Sequence, residues 1–225
     1  MKMPSDPSRV TLLTDLLSSV KRSPNRVKTI RKALMGLSIV LALGGMALIA
    51  YPFATDLWAQ RIQHGLSTEF ASSARAYASG GVKVGKPLTR MEIPKLDVDV
   101  IVVEGTTPAA LHAGAGHYPD TALPGEIGNV AIAGHRTTYG RPFNRMDELE
   151  LGDKIIMTTP IGKHTYEVVT PPGVVDPLDW TPILDYNKQG SYLTLTSCHP
   201  EGSAAYRIWV RAKLIESTQQ MTAEA

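Results

Sequence analysis

The chain contains a single cysteine, Cys198, near the end of a run in which apolar and hydroxyl residues alternate. One cysteine cannot close an internal disulfide, which leaves intermolecular pairing, a free reactive thiol or a buried, inert small apolar group. In an extended strand, Leu193, Leu195 and Ser197 point one way, and Tyr192, Thr194, Thr196 and Cys198 the other. The aliphatic side belongs in a core, which puts Cys198 on the outer, groove-forming face. In the next run, Ile208, Val210, Ala212 and Leu214 form the core set, leaving Arg207, Trp209 and Arg211 outside. If the two runs form an antiparallel hairpin with residues 199–206 as its loop, Cys198 opposes Arg207 and Leu195 opposes Val210. Directly opposed Cβ atoms lie ~5 Å apart. A guanidinium beside a thiol favours the thiolate, and its fixed N–H fork suits a tetrahedral oxyanion. Further upstream, Val130 and Ile132 face inward while Ala131, Ala133 and His135 face outward. The two small alanines leave room for a ligand, and a thiol, a guanidinium and an imidazole all fall on the non-core faces of three strands.

Other polar groups read more simply. His199 comes directly after the nucleophile, but adjacent strand positions face opposite ways, and Pro200 starts a loop. His112, His117, His135, His199 and Cys198 match none of the usual zinc spacings, so no metal and no cofactor is expected. His64 and His164 are expected to be solvated. Asp176, Asp179 and Asp185 read as a solvated charged loop rather than a calcium site.

These groups need a scaffold, and the chain of 225 residues has room for one domain plus appendages. Residues 1–32 carry eight Lys/Arg against two acids, whereas the remainder has fifteen Lys/Arg against nineteen acids. The folded part is therefore mildly acidic, which excludes the basic stripe of a nucleic-acid binder. Residues 33–55 contain no charge and are dominated by Leu, Ile, Val and Ala; at ~1.5 Å per residue they can cross a bilayer. The basic residues just before them keep the N-terminus cytoplasmic and place the chain beyond Asp56 outside the membrane. With a long basic region in front and no A-x-A site behind, this reads as a signal anchor rather than a cleaved signal peptide. Residues 56–86 read as a juxtamembrane stalk and then an Ala/Ser/Gly-rich flexible spacer. From residue 87 to 216 the pattern is short strands with Pro and Gly turns: 88–93, 98–103, 129–133, 154–159, 164–169, 192–197 and 206–215. A short helix is expected over 143–149, and 217–225 form a tail. The class is all-β, a barrel or sandwich.

Thr194-Leu195-Thr196-Ser197-Cys198, with Arg207 nine positions on, resembles the sortase signature T-L-x-T-C, with Ser197 where threonine is usual. Gly134-His135-Arg136 resembles the sortase histidine site. His117-Tyr118-Pro119, Ala133-Gly134-His135-Arg136-Thr137-Thr138-Tyr139-Gly140 and Cys198-His199-Pro200 are most similar to class E sortases of high-GC Gram-positive bacteria. The resemblance implies a β-barrel of about eight strands with short helices, behind an N-terminal transmembrane helix. It also implies cleavage of a C-terminal Leu-Pro-x-Thr-Gly or Leu-Ala-x-Thr-Gly sorting signal after Thr, through a thioester on Cys198. The surface protein would then be transferred to an amine of lipid II or another acceptor. His135 and Arg207 then act as acid/base and oxyanion stabiliser, while Tyr118, Thr196, Ser197 and Trp209 line the substrate groove. Two alternatives stay open. An L,D-transpeptidase carries S-H-G-C-x-R, which has no counterpart here, and a surface-displayed β-domain would hold Cys198 incidentally, with a slow, ordinary thiol and no acyl intermediate.

Overall fold

The computed structural model describes residues 24–184 and 189–219; most of the basic tail, Asp185 and the last residues lie outside these. The chain divides into two units, one ending at Ala50 and the other beginning at Tyr51. Helix α1 (Pro24–Phe70) supplies the first. Its Lys28–Phe70 stretch is long and apolar enough to cross a membrane. Leu41, Leu48 and Ile49 are exposed, which makes this stretch a candidate membrane span.

In the second unit, residues 51–70 of the same helix differ from the expected stalk. Ala59, Ile62, Gln63, Leu66 and Phe70 recur at helical spacing and so share one face. Ile62, Leu66 and Phe70 of that face pack with Ile101, Val103, Ala110 and Ala113. Gln63 sits among them, donating from Nε2 to the carbonyls of Ile101 (2.8 Å) and Ala113 (2.7 Å). Its Oε1 accepts from Ile101 N at 2.7 Å. The expected flexible spacer is ordered as well. It contains α2 (Ala74–Ala78) with Tyr77 buried, and Gly85 N and Lys86 O bond the backbone of Glu104. An apolar stripe needs a partner surface, and here the barrel supplies it.

Eight strands close into a barrel. They are β1 (Pro87–Ile93), β2 (Val98–Glu104), β3 (Ala115–His117), β4 (Gly128–Gly134), β5 (Lys154–Thr159), β6 (Gly162–Val175), β7 (Ser191–His199) and β8 (Tyr206–Gln219). Around the barrel they run β1-β2-β3-β4-β7-β8-β6-β5, and β5 pairs back onto β1. Closure leaves no free edge. The inward residues Met91, Ile93, Val130, Ile132, Leu193, Leu195, Ile208 and Val210 make the core. Several details depart from the sequence reading. Strand β3 is additional, β6 runs on through Pro171 and Pro172, and β8 takes in residues 217–219 of the expected tail. The expected helix over 143–149 is a 3-10 turn at Met146–Glu148. Short helices α3 (Pro108–Leu111) and α4 (Thr181–Leu184) complete the unit.

One topological feature sets up the site. Strands β4 and β7 are parallel neighbours, so the chain must cross over between them. Both therefore end at the same rim of the barrel. Strand β8 runs antiparallel to β7 and so begins at that rim.

Candidate active site

His135 comes one residue after the end of β4, Cys198 is the penultimate residue of β7, and Arg207 is the second residue of β8. The β7–β8 ladder pairs Cys198 with Arg207 and Leu195 with Val210, the register expected from counting. In the parallel pair, Ala131 lies beside Thr194 and Ala133 beside Thr196. Continued by two residues, that register sets His135 level with Cys198. All three line one cleft of about 310 Å³, together with Tyr118, Trp180 and Trp209. His199 is not among its lining residues.

The cleft is narrower than parity alone suggests. Thr194 and Ala131 are on the outer face yet fully buried; α4 lies across Thr194, whose Oγ1 is 3.3 Å from Pro182 O. Asn129 Nδ2 donates to Ile183 O at 2.9 Å, Thr194 Oγ1 to Asn129 Oδ1 at 2.8 Å, and Arg211 Nη2 to Pro182 O. This cover was not legible in the strand pattern, since it is made by a separate loop.

Each expected groove residue has a definite place. Tyr118 Oη lies 3.2 Å from Thr196 Oγ1, and its ring meets Trp180 edge-on at 6.0 Å. Trp180, half exposed, was not expected; an apolar aromatic left in a charged loop was the available signal. Ser197 is buried, and its Oγ donates to Gly134 O at 2.8 Å, so it braces β7 against β4. The indole of Trp209 packs over Gly173, where an added Cβ would meet Nε1 at 2.8 Å. That Nε1 is buried without a hydrogen-bond partner.

Arg207 donates from Nη1 to Ala204 O (3.1 Å) and Tyr206 O (3.0 Å). These bonds leave Nε and Nη2 open, among the described residues, as donors. His135 is half-buried, and this burial, with the electrostatic influence of the neighbouring His112 second, holds its imidazole below the ordinary value of 6.5. The ring is therefore neutral near pH 7. Its neighbour Arg136 is 3% exposed and pairs with Asp147 (2.7 Å) and Glu201 (3.9 Å), linking the loop after His135 to the loop after Cys198. Gly134 is required by close approach: a Cβ there would lie 2.4 Å from the buried Phe143 ring.

The remaining histidines have other surroundings. His117 is buried, with Nδ1 2.9 Å from Glu104 Oε2 and Nε2 3.0 Å from both Ala122 O and Thr121 Oγ1. His164 is buried, contrary to the solvated position expected for it, with Nδ1 2.9 Å from Ser217 Oγ. The long β6 carries it under the Gly125 turn.

Comparison with known proteins identifies the family. A sortase-domain family model matches residues 91–215. Sortase SrtE1 of Streptomyces coelicolor is 36% identical over 164 residues, 67% of this chain and 46% of the relative, so the match spans about half of that protein. Sortase D of Bacillus subtilis is 33% identical over 72% of this chain and 83% of its own length. Among solved structures, sortase E from Streptomyces avermitilis is 38% identical with a TM-score of 0.56, covering 61% of this chain and 93% of that one. The SrtF sortase from Corynebacterium diphtheriae is 31% identical with a TM-score of 0.59, covering 64% and 91%. The chain belongs to the sortase family of cysteine transpeptidases and is class E-like within it.

Proposed function

We propose that Cys198, His135 and Arg207 carry out transpeptidation on surface proteins that end in a Leu-Pro-x-Thr-Gly or Leu-Ala-x-Thr-Gly signal. The observation that supports this most directly is that the three residues line one cleft at one barrel rim. Its volume of about 310 Å³ suits a few small residues of an extended peptide. Since His135 is held neutral by burial, it begins as a base. It takes the Cys198 proton as Sγ attacks the Thr carbonyl. The open Nε and Nη2 of Arg207 receive the developing oxyanion. Collapse breaks the Thr–Gly bond, and the proton on His135 passes to the departing Gly amine. An acceptor amine, such as that of lipid II, attacks the thioester carbonyl and loses a proton to His135; the C–S bond breaks, and His135 returns that proton to the Cys198 thiolate. Tyr118, Thr196 and Trp209 form the walls against which the signal lies, and Ser197 holds the wall in place.

The apolar part of α1 anchors the enzyme, and the Lys and Arg before it keep the N-terminus on the cytoplasmic side. The catalytic unit then faces the cell wall and its amine acceptors. The deciding experiment incubates the full chain in detergent micelles with a sorting-signal peptide and looks for an acyl adduct on Cys198 by mass spectrometry. Cys198→Ala abolishes both adduct and cleavage; residual cleavage by that variant would exclude the mechanism.

A further inference from the structure

The loop immediately after His135 contains three consecutive residues at positive φ: Tyr139 at 52°, Gly140 at 76° and Arg141 at 39°. Glycine takes this conformation freely, but Tyr139 and Arg141 do so against a Cβ clash. Such backbone persists only where its surroundings over-determine it. Within the loop, Arg141 N donates to Thr138 O at 3.0 Å. Asn144 N also donates to Arg141 O at 3.1 Å, and further support comes from α1. Gly140 N donates to Asp56 Oδ1 at 2.9 Å and Tyr139 N to Thr55 Oγ1 at 3.4 Å. Arg141 Nε lies 3.3 Å from Asp56 Oδ2, and the Asp56 side chain is only 16% exposed. One turn further along the helix, Ala59 closes the gap: a Cβ on Gly140 would lie 3.6 Å from the Ala59 methyl.

The turn presents the Tyr139 ring to the site. That ring lies 5.0 Å from the His135 imidazole and stacks on His112 at 4.6 Å with planes 17° apart. Moving the turn therefore moves the surface on which His135 rests.

We propose that Asp56 is a positioning residue for this site. Through its carboxylate, the helix that carries the membrane-spanning stretch holds the left-handed turn at 139–141, and the turn holds the face of His135. The inference rests on His135 being the acid/base. It makes residues 51–70 part of the catalytic unit rather than a tether, so that the barrel without them lacks the brace behind its base.

The test uses the full chain in detergent micelles and a sorting-signal peptide, with wild type and His135→Ala measured alongside. Asp56→Ala is expected to lower kcat about 10- to 100-fold, the scale of a small misplacement of a reacting group. KM is expected to change by less than about twofold, because the peptide-lining walls stay in place. Asp56→Asn keeps an acceptor for Gly140 N–H and should retain most of the activity. In the Asp56→Ala background, Arg141→Gly removes one strained residue from the turn and should recover part of the loss. Wild-type kcat in Asp56→Ala overturns the proposal, as does a loss that only tracks the fraction of unfolded protein. Failure of Arg141→Gly to recover any activity overturns the route through the turn. If wild type itself forms no acyl-enzyme, the functional reading fails instead, and the two failures are told apart.

Discussion

The backbone of Cys198 pairs directly with that of Arg207 at the open end of the β7–β8 ladder, and among the described residues the Arg207 side chain is tied there by Nη1 alone. One end of the guanidinium is thus fixed to the loop, while the other two nitrogens remain available. If those nitrogens receive the oxyanion, Arg207→Lys should fail nearly as badly as Arg207→Ala, because an ammonium lacks the planar fork. Single-turnover acylation should fall about 10²–10³-fold in both, the cost of one lost oxyanion donor. Melting temperature should hardly move, since surface substitutions usually stay within about 0.5 kcal/mol. An acylation-competent Arg207→Lys enzyme would remove Arg207 from the chemistry.

That pairing was legible because antiparallel register is a matter of counting residues out from a loop. The inward positions of β4, β7 and β8 were legible for the same reason, as each alternates cleanly. The features that were not legible depend on partners distant in sequence. Strand β3 is only Ala-Gly-His, too short to show a period, and it exists because β2 and β4 flank it. Pro171, Pro172 and Gly173 read as the end of a strand, yet β6 absorbs them with register shifts against β8. The burial of Thr194 comes from α4 in a different loop. The docking of residues 51–70 was signalled by their helical apolar spacing, but the surface they would meet could not be named from that spacing.

The two histidines flanking the nucleophile separate by geometry. His135 lines the cleft, whereas His199 pairs in the ladder with Tyr206 and has a buried, unpartnered Nδ1. His135→Ala should lose about 10²–10⁴-fold in turnover, and His199→Ala far less. Equal losses in steady-state cleavage would mean that the wrong ring has been assigned to proton transfer.

Gly134→Ala tests the close approach beneath His135. The new methyl would meet the Phe143 ring at 2.4 Å, and Phe143 is fully buried, so neither can give way easily. Overpacking of this kind costs about 1–3 kcal/mol. Urea melts should show that loss, and acylation per folded molecule should fall too, because β4 must shift just before its catalytic residue. A variant with wild-type stability and turnover would show that the rim is softer than its packing implies.

The pH profile tests the neutral resting state of His135. Burial first, and the neighbouring His112 second, hold its pKa below 6.5. The unfolded chain therefore binds a proton to this ring at a pH where the folded protein does not. As pH falls below about 6.5, His135 costs the fold stability until its folded pKa is passed. In catalysis, protonating the resting base removes activity, so the acid limb of kcat/KM should lie below pH 6.5. Replacing His112 with Asn removes the neighbour's electrostatic influence but leaves the burial. The acid limb should then move upward, toward 6.5 without reaching it, while the alkaline limb stays in place. A limb that does not move in His112→Asn, or that moves downward, would show that the group titrating there is not a His135 tuned by His112.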